Sequence, residues 1–242
     1  MRKLKWTAER IEPIMRYLFI ILAAAAIVYN FINAQWEIFL SAVMTLLLFL
    51  LPTILSKRTK IVIPAPMQII ILLFIFASMY LGEVHQYFSR FWWWDRMLHT
   101  TSAFLLGYIG FLLIYTLNKD RNIHVKLSPF FIALFAFCFA VTAGVIWEIF
   151  EFLVDDISGS DMQGARNLEQ VYGYFNTRLG LLDTMRDLIL DTAGALVASA
   201  IGYSYSKKKL SKDSTFWKMK DLFIEENPEL FPVIQKKREP AS

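Results

Sequence analysis

Five stretches of this chain, roughly 14–34, 37–55, 61–82, 98–118 and 129–154, are apolar for long enough to cross a hydrocarbon core, which needs about 20 mostly apolar residues. A sixth, roughly 184–206, is broken by charge in its first half but apolar from Leu188 onward apart from Asp191. Segments of this length can satisfy their backbone groups in lipid only as helices. With 56% hydrophobic and 19% charged residues, the composition excludes an ordinary soluble domain. The expected fold class is all-α, a polytopic membrane protein with six transmembrane helices and both termini cytoplasmic.

The orientation comes from the basic residues. With six spans, Arg90, Arg96, Arg166, Arg178 and Arg186 fall on one side and all the others of the 25 lysines and arginines on the opposite side. The richer side is cytoplasmic by the positive-inside rule. Five spans would spoil the sorting, so the charges support the weak sixth. The expected organisation is a cytoplasmic amphipathic lead-in, 1–13, ended by Pro13, then a transmembrane domain, 14–206, and a basic cytoplasmic tail, 207–242. The first run has a basic flank, but it is too long for a typical signal peptide, and Ile32 suits a cleavage site poorly. It reads as a retained anchor. The single cysteine, Cys138, lies mid-span and reads as a small core hydrophobe. The net charge of +4 sits in the flanks, where it matches anionic lipid; nothing suggests nucleic acid. The lipid bilayer is the expected partner, and no protein partner can be named.

Smaller signals punctuate these runs. Pro64 and Pro66 open the third span, and Phe91-Trp92-Trp93-Trp94 reads as an interfacial aromatic belt. Gly107 and Gly110, and Gly194, Ala198 and Gly202, mark faces for close helix approach. A loop of unusual length, 155–182, stands ready to cap a site or meet a partner. The patch from Phe216-Trp217 to Phe223-Ile224 in the tail is suited to rest on the inner leaflet.

Against this apolar background, ionisable groups gather at one end of the last four spans: Glu83 with His85, Asp95 with His99, Glu148 with Glu151, and Asp183, Asp187 and Asp191. Each costs about 2.5–3.5 kcal/mol at a helix centre. Spacings of three and four residues stack each set along one helix face, with Asp191 roughly 12 Å deeper than Asp183. So many carboxylates cannot share a small volume as free anions; protons, arginines or a cation must offset them. Oxygen ligands with one or two imidazoles suit Mg, Mn or Ca, or with more imidazole Zn or Fe. The candidate metal ligands are Asp95, His99, Glu148, Glu151, Asp187 and Asp191, with Glu83, His85 and Asp183 as further candidates. Asp187, His99 and Glu148 are the candidate catalytic residues. Helix capping would account for Asp95 and Asp183 without any site, and Asp155, Asp156 and Asp161 read as solvated. His124 lies in a cytoplasmic loop and is assigned no role.

Several of these segments have a familiar form. Trp94-Asp95-Arg96-Met97-Leu98-His99 leading into Ser102-Ala103-Phe104 resembles a pattern of the YjdF-like bacterial inner-membrane proteins. So do Trp147-Glu148-Ile149-Phe150-Glu151, Asp161-Met162-Gln163, and Asp183 through Asp187 to Asp191-Thr192-Ala193-Gly194. Ala103 stands where the pattern has glycine. The resemblance implies a multi-pass plasma-membrane protein and no activity. A looser similarity to VanZ-like envelope proteins matches Asp95, His99, Glu148 and Asp187 or Asp191.

Three functions remain open from the residues. The first is a membrane-embedded, metal-dependent enzyme acting on an envelope lipid or lipid-linked phosphate, with His99 as ligand or base, Glu148 and Glu151 as ligands, and Asp187 and Asp191 as ligands or a water-positioning base. No Gly-x-Ser-x-Gly motif or paired-histidine cluster supports a familiar intramembrane hydrolase. The second is a carrier using the acids as a proton or cation relay, a reading opposed by the apolar inner halves of the spans. The third is a scaffold or sensor whose polar cluster fixes helix register.

Overall fold

A computed structural model describes residues 2–117, 127–159, 161–164, 173, 178–207 and 215–228. The described residues form helices and their connections. These are α1 (Arg2–Ile32), α2 (Trp36–Thr59), α3 (Ala65–Ile75), α4 (Tyr87–Arg90), α5 (Trp94–Leu117), α6 (Pro129–Ser158), α7 (Leu179–Ser206) and α8 (Thr215–Glu226). Six helices are long and apolar enough to cross a membrane: Thr7–Ile32, Trp36–Thr59, Ala65–Val84, Trp94–Ile114, Pro129–Ile157 and Leu179–Ser206. The sixth span, weakest by composition, is a single uninterrupted helix.

Two boundaries differ from expectation. Pro13 lies inside α1 rather than ending a lead-in; proline removes one backbone donor there, and the turns on either side continue the helix. The third span runs to Val84, and from Phe76 onward its turns widen into a π-helix, a geometry that is rare outside short functional or strained segments. Gly82 sits in that stretch because a Cβ would collide with the ring of Phe88.

The chain divides into two compact units, residues 1–91 with 211–242, and residues 92–210. The first is cored by Phe19, Ala23, Phe49 and Leu72. Phe19 packs on Phe49 at 5.4 Å and stacks on Phe76 at 4.3 Å, and Phe76 stacks on Tyr80 at 5.1 Å. A charged group is set beside this core. Arg16 donates to Thr53 Oγ1 and Gln68 Oε1 and pairs with Glu12 one turn earlier. Gln68 Nε2 in turn donates to the Ile63 carbonyl, 2.6 Å away, at the break before α3.

The last helix belongs to this first unit. Met219, Leu222 and Ile224 of α8 are buried, so these side chains of the expected leaflet-binding patch are taken up by the fold; those of Phe216 and Trp217 lie outside the described residues. Asn227, fully buried, accepts from Val62 N–H (2.6 Å) and donates to the carbonyls of Val62 and Phe223 (2.8 Å each).

In the second unit α5 and α7 run parallel and α6 antiparallel to both, as the small-residue contacts show. A Cβ on Gly194 would meet the Thr100 carbonyl, and on Gly107 it would stand 2.8 Å from Ala198 Cβ. One on Gly202 would strike the Phe111 ring. Thr100, Gly107 and Phe111 thus climb α5 as Gly194, Ala198 and Gly202 climb α7. On the other side Gly110 faces Phe139 of α6. Close backbone approach of this kind holds helices together where lipid supplies no hydrophobic drive.

Candidate functional site

The three helices of the second unit bring their ionisable groups together at one end. Asp95 and His99 come from the first two turns of α5, Glu148 and Glu151 from the far end of α6, and Asp183, Asp187 and Asp191 from the near half of α7. The parallel register that sets Gly194 against Thr100 also sets Asp191 beside His99.

His99 is the hub. Its Nδ1 lies 3.3 Å from Asp191 Oδ1, within hydrogen-bond reach. Its Nε2 faces Asp95 Oδ1 at 3.7 Å and Glu148 Oε1 at 3.8 Å, both too long for a hydrogen bond. The His99 carbonyl accepts from Ser102 Oγ at 2.8 Å, which anchors the backbone beneath the ring. Asp95, His99 and Asp187 each place one donor atom within 4.8 Å of the others. Asp95 is the open side of this group, its side chain 34% exposed, whereas Glu148, Asp187 and Asp191 are buried at 4%, 2% and 1%.

Several carboxylate oxygens of the site are buried without hydrogen bonds. Both oxygens of Glu148, Asp187 Oδ1 and Asp191 Oδ2 are enclosed and meet no donor among the described residues in good hydrogen-bond geometry, with Thr184 the side-chain hydroxyl near Glu148. A buried ion stripped of water costs several kcal/mol unless attraction and hydrogen bonds compensate. Glu151 differs: Trp147 Nε1, one turn before it, donates to its Oε1 at 2.7 Å.

Some expectations separate at this point. The capping explanation fails for Asp183, because α7 begins at Leu179 and places Asp183 beyond the first turn. Asp95 does lie in the first turn of α5, where the helix dipole favours it, yet it also faces His99. Glu83 and His85 belong to the first unit, where the His85 ring stands edge-on to Tyr80 at 4.8 Å. Asp155, read as merely solvated, instead ties down the following turn: its two oxygens accept from the backbone N–H groups of Met162 (2.7 Å) and Gln163 (2.9 Å). Gln163 Nε2 reaches Thr184 Oγ1 on α7 at 2.9 Å. Gly164, at φ +63°, leaves room for Asp183, whose Oδ2 would lie 2.7 Å from a Cβ there. The 161–164 turn is therefore tied to both α6 and α7; most of 165–177 lies outside the described residues, as does His124. Asp161-Met162-Gln163 stands in the sequence only as part of the family resemblance, and nothing in it points to Asp155 as the anchor of this turn.

Arg96, one residue beyond Asp95, extends its guanidinium over the Trp92 ring, 4.8 Å from the centroid. That contact holds a cation at the rim of the site. Trp92 itself is 71% exposed, as an interfacial belt requires.

Comparison with known proteins agrees with the helical reading. Residues 14–208 match a family described as "Predicted membrane protein (DUF2238)". An uncharacterised protein from Thermotoga maritima is 28% identical over 167 residues, covering 69% of this chain and 74% of that protein. No solved structure matches.

Proposed function

The chain belongs to the DUF2238 family of predicted membrane proteins, and on that footing we propose that its second unit is a membrane-embedded divalent-metal centre serving an enzyme of envelope lipids or lipid-linked phosphates. The observation that carries this is the set of buried carboxylate oxygens without hydrogen bonds around a single imidazole. An imidazole nitrogen 3.7–3.8 Å from two carboxylate oxygens calls for a positive charge there, which either a proton on the ring or a bound cation supplies. Ligands about 2.1 Å from a tetrahedral ion stand about 3.4 Å apart, and trans ligands about 4.2 Å. The donors of Asp95, His99 and Asp187 lie within 4.8 Å of one another, with Glu148 beside His99 at 3.8 Å, a spacing that small side-chain adjustments would bring to a coordination sphere. One imidazole with several carboxylates suits Mg²⁺, Mn²⁺ or Zn²⁺. Bound there, such an ion would polarise a phosphoryl or carbonyl oxygen, or activate a water.

The charge asymmetry supports a plasma-membrane protein with both termini cytoplasmic, which would put the site at the outer leaflet. The motif likeness to YjdF-like and, more loosely, VanZ-like proteins supports an envelope role. A transmembrane relay is less well supported. Below Asp191 the buried positions of α7 are Gly194, Ala195, Ala198, Ser199 and Gly202, and Ser199 alone offers a polar side chain.

Metal content of detergent-purified protein, beside folded Asp187→Asn and His99→Ala variants, tests the proposal. Metal near one ion per chain in the wild type and lost in both variants is the expected result, and it would justify a screen of envelope lipids as substrates. Metal-replete protein that holds no ion would overturn the proposal and favour the scaffold or the protonated relay.

A further inference from the structure

Asp191 looks by residue type like one more metal ligand, but its position sets it apart from the others. It approaches His99 from the Nδ1 edge at 3.3 Å, whereas Asp95 and Glu148 face Nε2. The two ring nitrogens point in diverging directions, so no single ion at Nε2 can also be held by a carboxylate on the Nδ1 side. Asp191 is also wedged from behind. Its Oδ2 and Cγ occupy the place a side chain on Gly144 would take, with Cγ 3.0 Å and Cβ 3.3 Å from the position of an added Cβ. Its carboxylate is thus fixed between His99 of α5 and the bare backbone of α6 at 1% exposure.

Resting on the metal reading above, we infer that Asp191 is the positioning residue of the centre and not a ligand. It accepts the Nδ1 proton of His99, fixes the tautomer with the Nε2 lone pair toward Asp95 and Glu148, and holds the ring plane. Gly144 is the second half of the device, since only glycine lets α6 approach closely enough for the carboxylate to stay in place. Carboxylate partners of metal-bound histidines act in this way, and their loss typically weakens metal binding 10–100-fold without removing a ligand.

Cobalt(II) is a suitable probe, because its visible absorption reports the ligand set while chelator competition gives the Kd. Full-length wild type, Asp191→Asn and Gly144→Ala would be compared in detergent, with His99→Ala as the ligand-loss control. Both variants are expected to bind one cobalt per chain with the wild-type band positions, about 10–100-fold more weakly. Altered bands in Asp191→Asn would make Asp191 a ligand and overturn the inference, as would a Kd within about twofold of wild type in both variants. Should Asp191→Asn fail to fold, Gly144→Ala decides alone, since it leaves every ligand-type side chain intact. Wild-type protein that takes up no cobalt would instead sink the metal reading itself, a result distinct from tight wild-type binding that the variants leave unchanged.

Discussion

Each unit of this protein buries charge, and the two do so in opposite ways. In the first, Arg16 is met by Glu12, Thr53 and Gln68, and Gln68 by a backbone carbonyl. Cation, anion and neutral partners face one another there, and only Glu12 Oε1 and Arg16 Nε of that cluster are buried without a hydrogen bond among the described residues. In the second, one imidazole stands among Asp95, Glu148, Asp187 and Asp191, and four buried carboxylate oxygens meet no donor in good hydrogen-bond geometry among the described residues. On the proposed reading, the first cluster is scaffold and the second a ligand site.

The largest expected effect breaks the comparison outright if it fails. Asp187→Asn and His99→Ala should each lose most of the bound metal, while Arg16→Met should keep wild-type stoichiometry; equal losses in all three would mean that metal content reports only folding. Next, Arg16→Met should lower stability by about 2–3 kcal/mol, the scale of hydrogen bonds to a charged group, or roughly 5–10 °C in the thermal midpoint for a chain of this size. Glu148→Gln should do the reverse in chelator-treated protein. Removing a buried charge crowded by neighbouring carboxylates should raise stability by about 1–3 kcal/mol, visible as a higher midpoint in EDTA. A lower midpoint there would place Glu148 in structural glue. The smallest effect sharpens the packing side. In Gly107→Ala the new Cβ presses on Ala198, costing about 1–3 kcal/mol against roughly 1 kcal/mol gained in helix propensity. The net loss should be near 1 kcal/mol, with metal binding untouched.

Much of the second unit could be read from the chain. Offsets of three and four residues put Asp95 with His99 and Asp183 with Asp187 and Asp191 on shared faces, and alternating spans put those faces at one end. Periodicity says which residues share a helix face, but it does not say which helices are neighbours. Glu83 and His85 obeyed the same rule as the other groups and belong to a different unit. The special status of Gly144 was equally hidden, because a glycine that clears space for a carboxylate 47 positions later looks like any other small residue in a span. Arg16 counted only as a topogenic charge until its partners on α2 and α3 were known. The π-helical turns after Phe76 have no signature in hydropathy at all.

The Asn227 clip links the two ends of synthesis. Val62 emerges early, at the break between the second and third spans, and its N–H and carbonyl are taken by a side chain 165 residues later. At about 5–20 residues per second, roughly 8–30 s of translation separate the two partners. The first unit must therefore wait, incomplete and with that backbone still open to solvent or a chaperone, until the helices of the second unit have been made. The final helix then closes what the first three began, so a chain interrupted before Asn227 would carry an exposed mark of its own incompleteness.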